Sequence, residues 1–195
     1  MSPPRDSLQI GPVHCAWMPH RRGTPTAPLV QPWLALQLAV DEPALGVWRD
    51  THGRPHLAAG HAGLDINWSH SGDQLLVALG RGVRVGADLE LLRPRPRAMV
   101  LAARFFTPGE AATLQALPAA LQEDAFVRLW CAKEAVLKAH GRGIVFGLHR
   151  LEFVADGDAW RLDRCDPALG TPADWTLHAF APMPGFLATL AWRAL

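Results

Sequence analysis

Apolar and polar positions alternate most regularly between Leu64 and Leu91, and this stretch predicts three strands. "LDINWS" reads as a strand closing near Ser69, a turn follows at Ser71-Gly72-Asp73, and a second strand covers Leu75 to Leu79. Gly80-Arg81-Gly82 predicts a hairpin turn into a third strand, Val83 to Leu91. On that strand Val83, Val85, Ala87, Leu89 and Leu91 share one face, while Arg84, Gly86, Asp88 and Glu90 share the other. Further on the period lengthens to that of a helix, predicted from about Ala119 to His140 and stopped at Gly141-Arg142-Gly143. Its stripe holds Phe126, Leu129, Trp130, Lys133 and Leu137, so a lysine sits among apolar neighbours.

Less regular segments complete the layout. "PWLALQLA", Pro32 to Ala39, predicts a short helix opening at a proline, and Gly53 and Pro55 make Thr51 to Leu57 a turn. "TPGE", Thr107 to Glu110, is a helix start with a threonine cap, a proline and a glutamate three residues on. "LHRLEFV", "AWRLD", "WTLHAF" and "FLATLAW" read as strands, the first pair joined at Asp156-Gly157 and the second by "APMPG". Residues 1–28 are rich in proline and polar groups and read as irregular. Strands and helices do not alternate as βαβ units, so the fold class is α+β with antiparallel strands. The stiff basic connector "RPRPR", Arg93 to Arg97, divides the chain into an N-terminal half, 1–92, and a C-terminal half, 93–195.

Composition narrows the classes of function. About half of the 195 residues are apolar, enough for a substantial core, and the net charge of +1 excludes binding to nucleic acid or a membrane surface through overall charge. Three scattered cysteines, Cys15, Cys131 and Cys165, form neither a disulfide framework nor a zinc motif. The histidines of "THGRPHLAAGH" lack helical spacing around Gly53 and Pro55 and do not make a zinc site. No apolar run approaches the roughly 20 residues of a membrane helix, and the N-terminus has no signal pattern, so a cytoplasmic protein is expected.

The candidate chemistry lies in the acids. Asp88 and Glu90, two apart on a strand, have Cα atoms roughly 6.5 Å apart and point the same way, so one cation can neutralise both. A solvent-facing sheet shows the same alternation, and Glu134 with Lys138 is also an ordinary i,i+4 surface pair. Glu134 adds a third carboxylate, and three oxygen donors suit Mg²⁺ or Mn²⁺, ions usually completed by water and substrate phosphate. Lys133 and Lys138 beside them, Ser69 and His70 in "NWSHS", and Arg54 in "HGRP" supply phosphate donors.

In this order and at these separations, "HGRP", "NWSHS", "VGADLE", "RFFTPGE" and "RLWCAKEAVLKAHGRG" resemble the 4′-phosphopantetheinyl transferases of the larger, surfactin-synthetase-activating type. The resemblance covers Arg54 to Gly143 and extends to the C-terminal strands. It implies two similar α+β halves with pseudo-twofold symmetry in a monomer, each an antiparallel sheet packed with helices, and a nucleotide between them. It also implies Mg²⁺-dependent transfer of 4′-phosphopantetheine from coenzyme A to a serine of an apo acyl or peptidyl carrier protein, releasing adenosine 3′,5′-bisphosphate. Asp88, Glu90 and Glu134 then match the metal ligands. Arg54, Ser69, His70, Lys133 and Lys138 match coenzyme A contacts, and Glu134, Lys138 and His70 the catalytic groups. The family's basic segment ahead of the G-K-P turn has no counterpart in "QPWLALQLAVDEPALG", and Arg54 stands where the family has lysine. The basic connector and Arg104 could meet an acidic carrier. Two rivals remain: a metal-dependent phosphodiesterase using the same carboxylates, and a non-catalytic nucleotide- or carrier-binding module.

Overall fold

The alternating region forms three strands, but they do not form one sheet. In the computed structural model, which describes residues 6–157 and 159–195, the chain opens with β1 (Ser7–Ile10) and β2 (Val13–Pro19). Next come α1 (Ala27–Leu38), α2 (Glu42–Leu45) and the short strands β3 (Trp48–Arg49) and β4 (Pro55–His56). β5 (Leu64–Ser71), β6 (Gln74–Arg81) and β7 (Val83–Leu91) are the predicted trio. The helices α3 (Ala98–Phe105), α4 (Pro108–Ala116) and α5 (Ala119–His140) follow, then β8 (Leu151–Asp156), β9 (Ala159–Cys165), β10 (Thr176–Phe180) and β11 (Phe186–Ala194).

One antiparallel sheet has the order β1-β2-β6-β5 and a second the order β10-β11-β7; β8 and β9 form a separate hairpin. The turn at Gly82, whose φ of +69° suits glycine, therefore does not close a ladder between β6 and β7. It hands the chain from one sheet to the other, and β7 pairs instead with β11, Asp88 opposite Thr189 and Glu90 opposite Leu187. The strand assigned by sequence to the first half thus belongs to the second half's sheet, and a cut at 92/93 would remove its edge. Every residue from Leu75 to Leu79 is buried because β6 is covered on both faces. Leu75, Val77 and Leu79 meet α1, and Leu76 and Ala78 meet β7 and β11.

The irregular reading of residues 1–28 is overturned from Ser7 to Pro19, where β1 and β2 extend the first sheet and Val13, Cys15 and Ala16 are buried; residues 1–5 lie outside the described residues. The alternation there spans too few residues to stand out from its proline- and arginine-rich flanks. Helix α1 begins five residues earlier than predicted, at Ala27, with Pro28 in its first turn and Pro32 tolerated inside it. The Thr107 cap is as expected: its hydroxyl accepts from the Glu110 amide at 3.2 Å and Glu110 accepts from the Thr107 amide at 2.9 Å.

Between β5 and β7 the sheets are joined by side chains. Asp65 Oδ2 accepts from the Val85 amide (2.8 Å), Asn67 Oδ1 from the Ala87 amide (3.1 Å) and Ser71 Oγ from the Leu91 amide (3.0 Å), at a constant offset of 20 residues. The two strands therefore run parallel, with polar side chains where a sheet would place carbonyls. Helix α5 crosses the other face of β7 at Gly86. A Cβ there would lie 2.0 Å from the Ala135 carbonyl oxygen and 2.4 Å from the Ala139 nitrogen, so only glycine permits this approach.

Candidate active site

The Gly86 contact brings α5 down onto β7, and two residues along the strand Asp88 meets the helix. Lys138 Nζ lies 2.6 Å from Asp88 Oδ1 and 2.8 Å from Ser69 Oγ, and Ser69 in turn donates to Asp88 Oδ1 at 3.0 Å. Asp88 is buried, and its Oδ2 has no hydrogen-bond partner. One turn before Lys138, Glu134 lines the same cleft, a cavity of about 380 Å³ bordered also by Ser69, His70, Arg49 and His52. Burial, reinforced by Asp88 and Glu90 and opposed by Lys138, pushes the Glu134 carboxyl up to about 7. Burial also works against the Lys138 ammonium, but Asp88 and Glu134 outweigh it and hold it above its ordinary value. His70 is exposed on the rim and stacks on the buried His20, ring centroids 4.8 Å apart; burial, then the charges of His20 and Lys138, lower its pKa.

Asp88, Glu134, Lys138, Ser69 and His70 are therefore brought together as the sequence predicts. Three other predicted residues are engaged elsewhere. Lys133 is fully buried and faces away from the cleft, paired with Glu110 Oε1 at 2.7 Å and donating to the carbonyls of Leu148 (2.9 Å) and Leu151 (2.5 Å). The expected coenzyme A contact is corrected: the anion that an ammonium in an apolar stripe requires is Glu110, the cap partner of α4. Arg54 borders the cleft but is 4% exposed, its guanidinium donating to Asp65, to the Val85 carbonyl and to the Lys138 carbonyl in the last turn of α5. It clamps α5 to β5 and β7 rather than offering its charge to a phosphate. Glu90 is held by Arg95 at 2.5 Å and by Ser71 at 3.3 Å.

The acids suit a hard divalent cation in donor type, with oxygen ligands only, an orphaned buried Asp88 Oδ2 and a Glu134 carboxyl that burial and repulsion keep partly protonated. Among the described residues, however, no three His, Cys, Asp or Glu side chains stand close enough to hold a metal as placed. Lys138 neutralises Asp88 and Arg95 neutralises Glu90. Sequence reasoning missed Arg95, His20 and the bracing pair Asp65 and Asn67. For the last two a signal existed, since Asp65, Asn67, Ser69 and Ser71 occupy alternate positions of one strand.

Residues 84–180 match the model of the 4′-phosphopantetheinyl transferase superfamily. The chain is similar to the 4′-phosphopantetheinyl transferase HetI of Nostoc sp., 37% identical over 145 residues covering 73% of this chain and 58% of that protein. It is likewise similar to the 4′-phosphopantetheinyl transferase AcpT of Salmonella typhimurium, 37% identical over 128 residues, 64% of this chain and 66% of that one. The chain thus spans less than two thirds of the length of either. A holo-ACP-synthase from Plasmodium yoelii superposes over 58% of this chain and 97% of its own with a TM-score of 0.40 and 16% identity, too loosely to bear on the site. No helix among the described residues is long and apolar enough to cross a membrane. The matched segment takes in the strand that carries the acids and the whole of α5, and it is this segment that matches the 4′-phosphopantetheinyl transferase superfamily.

Proposed function

We propose that this chain transfers the 4′-phosphopantetheine group of coenzyme A to a serine hydroxyl of an apo acyl or peptidyl carrier protein, with Mg²⁺ or Mn²⁺, releasing adenosine 3′,5′-bisphosphate. It acts as a monomer of the larger single-chain type, in the cytoplasm. The observation that carries this reading is the placing of Glu134, its carboxyl pushed up to about 7, with Lys138, Ser69 and His70 around one cleft, Lys138 being paired to the buried Asp88 behind it. A base for an alcohol works best when its pKa lies near the working pH.

Glu134 accepts the proton of the serine hydroxyl as the serine oxygen bonds to the phosphorus that carries pantetheine. The bond from that phosphorus to the pyrophosphate bridging oxygen breaks, and its electrons leave with adenosine 3′,5′-bisphosphate. Lys138 faces the charge that develops on the departing phosphate, and His70 and Ser69 donate to phosphoryl oxygens. Asp88, Glu90 and Glu134 would hold the divalent ion, which would supply neutralisation of the pyrophosphate.

Incubation with coenzyme A, Mg²⁺ and purified apo carrier proteins, followed by mass measurement of the carrier, tests the reading. A carrier heavier by one phosphopantetheine is the expected result, and the panel identifies which carriers are served. Hydrolysed nucleotide with an unmodified carrier makes the protein a phosphodiesterase instead, and binding without chemistry makes it a recognition module.

A further inference from the structure

His20 follows the last residue of β2, and the ladder continues through it: its amide donates to the Asp73 carbonyl at 2.8 Å in the turn between β5 and β6. Met18 and His70 stand opposite Leu75 from either side, so the alternation of a strand puts His20 on the sheet face that also carries His70. The two imidazoles meet there with 4.8 Å between centroids and planes 13° apart. His20 is 5% exposed, and among the described residues neither of its ring nitrogens has a hydrogen-bond partner. Burying two such nitrogens is costly when nothing repays it. The ring makes its specific contact through its face, and that face lies against a side chain on the cleft rim.

We propose that His20 is a positioning residue: its ring is a buried platform that fixes the plane of His70, so that the His70 imidazole presents a nitrogen to a phosphoryl oxygen in the cleft. The inference rests on the transferase reading above and deepens it, since in that reading His70 touches the substrate and His20 does not. An exposed imidazole rotates about two side-chain bonds, and holding it in one orientation before the substrate arrives removes an ordering cost from binding. Stacked rings supply that restraint without occupying a nitrogen, as a hydrogen bond would. The platform is itself anchored, by the bond to Asp73 and by the packing of Met18 and Leu75 in the core under α1. The His20 nitrogens play no part in this role, which separates a platform from a second phosphate donor.

The test is a double-mutant cycle on carrier modification, with coenzyme A affinity measured by calorimetry and thermal melts confirming that each variant folds. His20→Leu fills the space but removes the flat face, and it lowers kcat/KM by about fivefold. His20→Phe restores the face without the nitrogens and stays within about twofold of wild type. His70→Ala lowers kcat/KM by about tenfold or more, and in that background His20→Leu has no further effect. A structural role alone would cost the same with or without His70. A His20→Phe protein as impaired as His20→Leu overturns the inference, because the nitrogens then matter. So do additive losses in the double variant, or a His20→Leu protein as active as wild type. Should His20→Leu not fold, the wild type decides: its His70 ring protons, assigned by their absence from His70→Ala, resonate upfield of those of an unstacked histidine, and ordinary positions overturn the inference. A wild-type protein that binds coenzyme A but modifies no carrier overturns the transferase reading alone, and the cycle is then read on affinity. One that does not bind coenzyme A overturns both.

Discussion

Replacing Lys133 by methionine separates a core strut from a ligand contact. The substitution keeps much of the side-chain volume but removes the partner of Glu110, both residues being inaccessible to solvent. Glu110 Oε1 is left with the Phe153 amide at 2.8 Å, and the carbonyls of Leu148 and Leu151 lose their donor. Breaking one side of a buried pair costs about 3–5 kcal/mol. That is a large share of the ~5–15 kcal/mol that holds a typical domain together. With a urea dependence of about 2–3 kcal/mol per molar, the midpoint falls by about 1–2 M. Glu110→Gln costs less because its amide still accepts from the Thr107 or Phe153 amide. The double variant Lys133→Met/Glu110→Gln recovers about 2 kcal/mol relative to the sum of the singles. Urea unfolding of the four proteins, followed by tryptophan fluorescence, provides the measurement. A Lys133→Met protein that keeps its midpoint but loses coenzyme A affinity would refute the structural role and return the lysine to the ligand.

Gly86→Ala forces a methyl group into the α5 backbone; it should cost about 3 kcal/mol or more and cut activity beyond the loss of folded protein, measured by unfolding and carrier-modification assays. Arg54→Met leaves Asp65 buried and unpaired and should cost about 3 kcal/mol in urea unfolding, with Arg54→Lys recovering little because an ammonium cannot span Asp65, Val85 and Lys138 together. In metal-free protein, Glu134 titrates near 7 when folded and near its ordinary 4.5 when unfolded. The native state therefore holds the extra proton between these values, and this group's contribution to stability falls as pH rises from about 4.5 to 7. Glu134→Gln should flatten that part of the stability–pH curve, and an unchanged slope would contradict the assignment.

Local rules made much of the fold legible. Helix α5 runs from Ala119 to His140 as its periodicity predicts, because a long amphipathic pattern ended by glycine leaves few alternatives, and Gly141 takes a φ of +105°. The hairpin at Asp156-Gly157 and the cap at Thr107 followed from turn and cap chemistry. Pairing partners did not follow: the short turn at Gly82 looks like any hairpin, and only packing against α5 and β11 sends β7 to another sheet. At the site, strand and helix periods put Asp88 and Glu90 on one face and Glu134 and Lys138 one turn apart, but spacing alone fits a solvent face equally well, and it is the ordered set of motifs that singles these residues out. It misjudged Lys133 and Arg54 because a charge pattern does not say which distant anion a cation meets. Glu110 lies 23 positions before Lys133, on another helix, and Asp65 lies across the seam from α5.

An ordinary ladder is indifferent to which amino acids compose it, since amides and carbonyls come with every residue but proline. The join beneath this cleft has no such tolerance. At Asp65, Asn67 and Ser71 a substitution that a neighbouring strand would absorb deletes a bond that nothing in the main chain can replace. The alignment of the cleft's acids and lysine is thus encoded in side-chain identity at positions along β5, and if the proposed chemistry holds, inactivating changes should cluster there as well as around the acids.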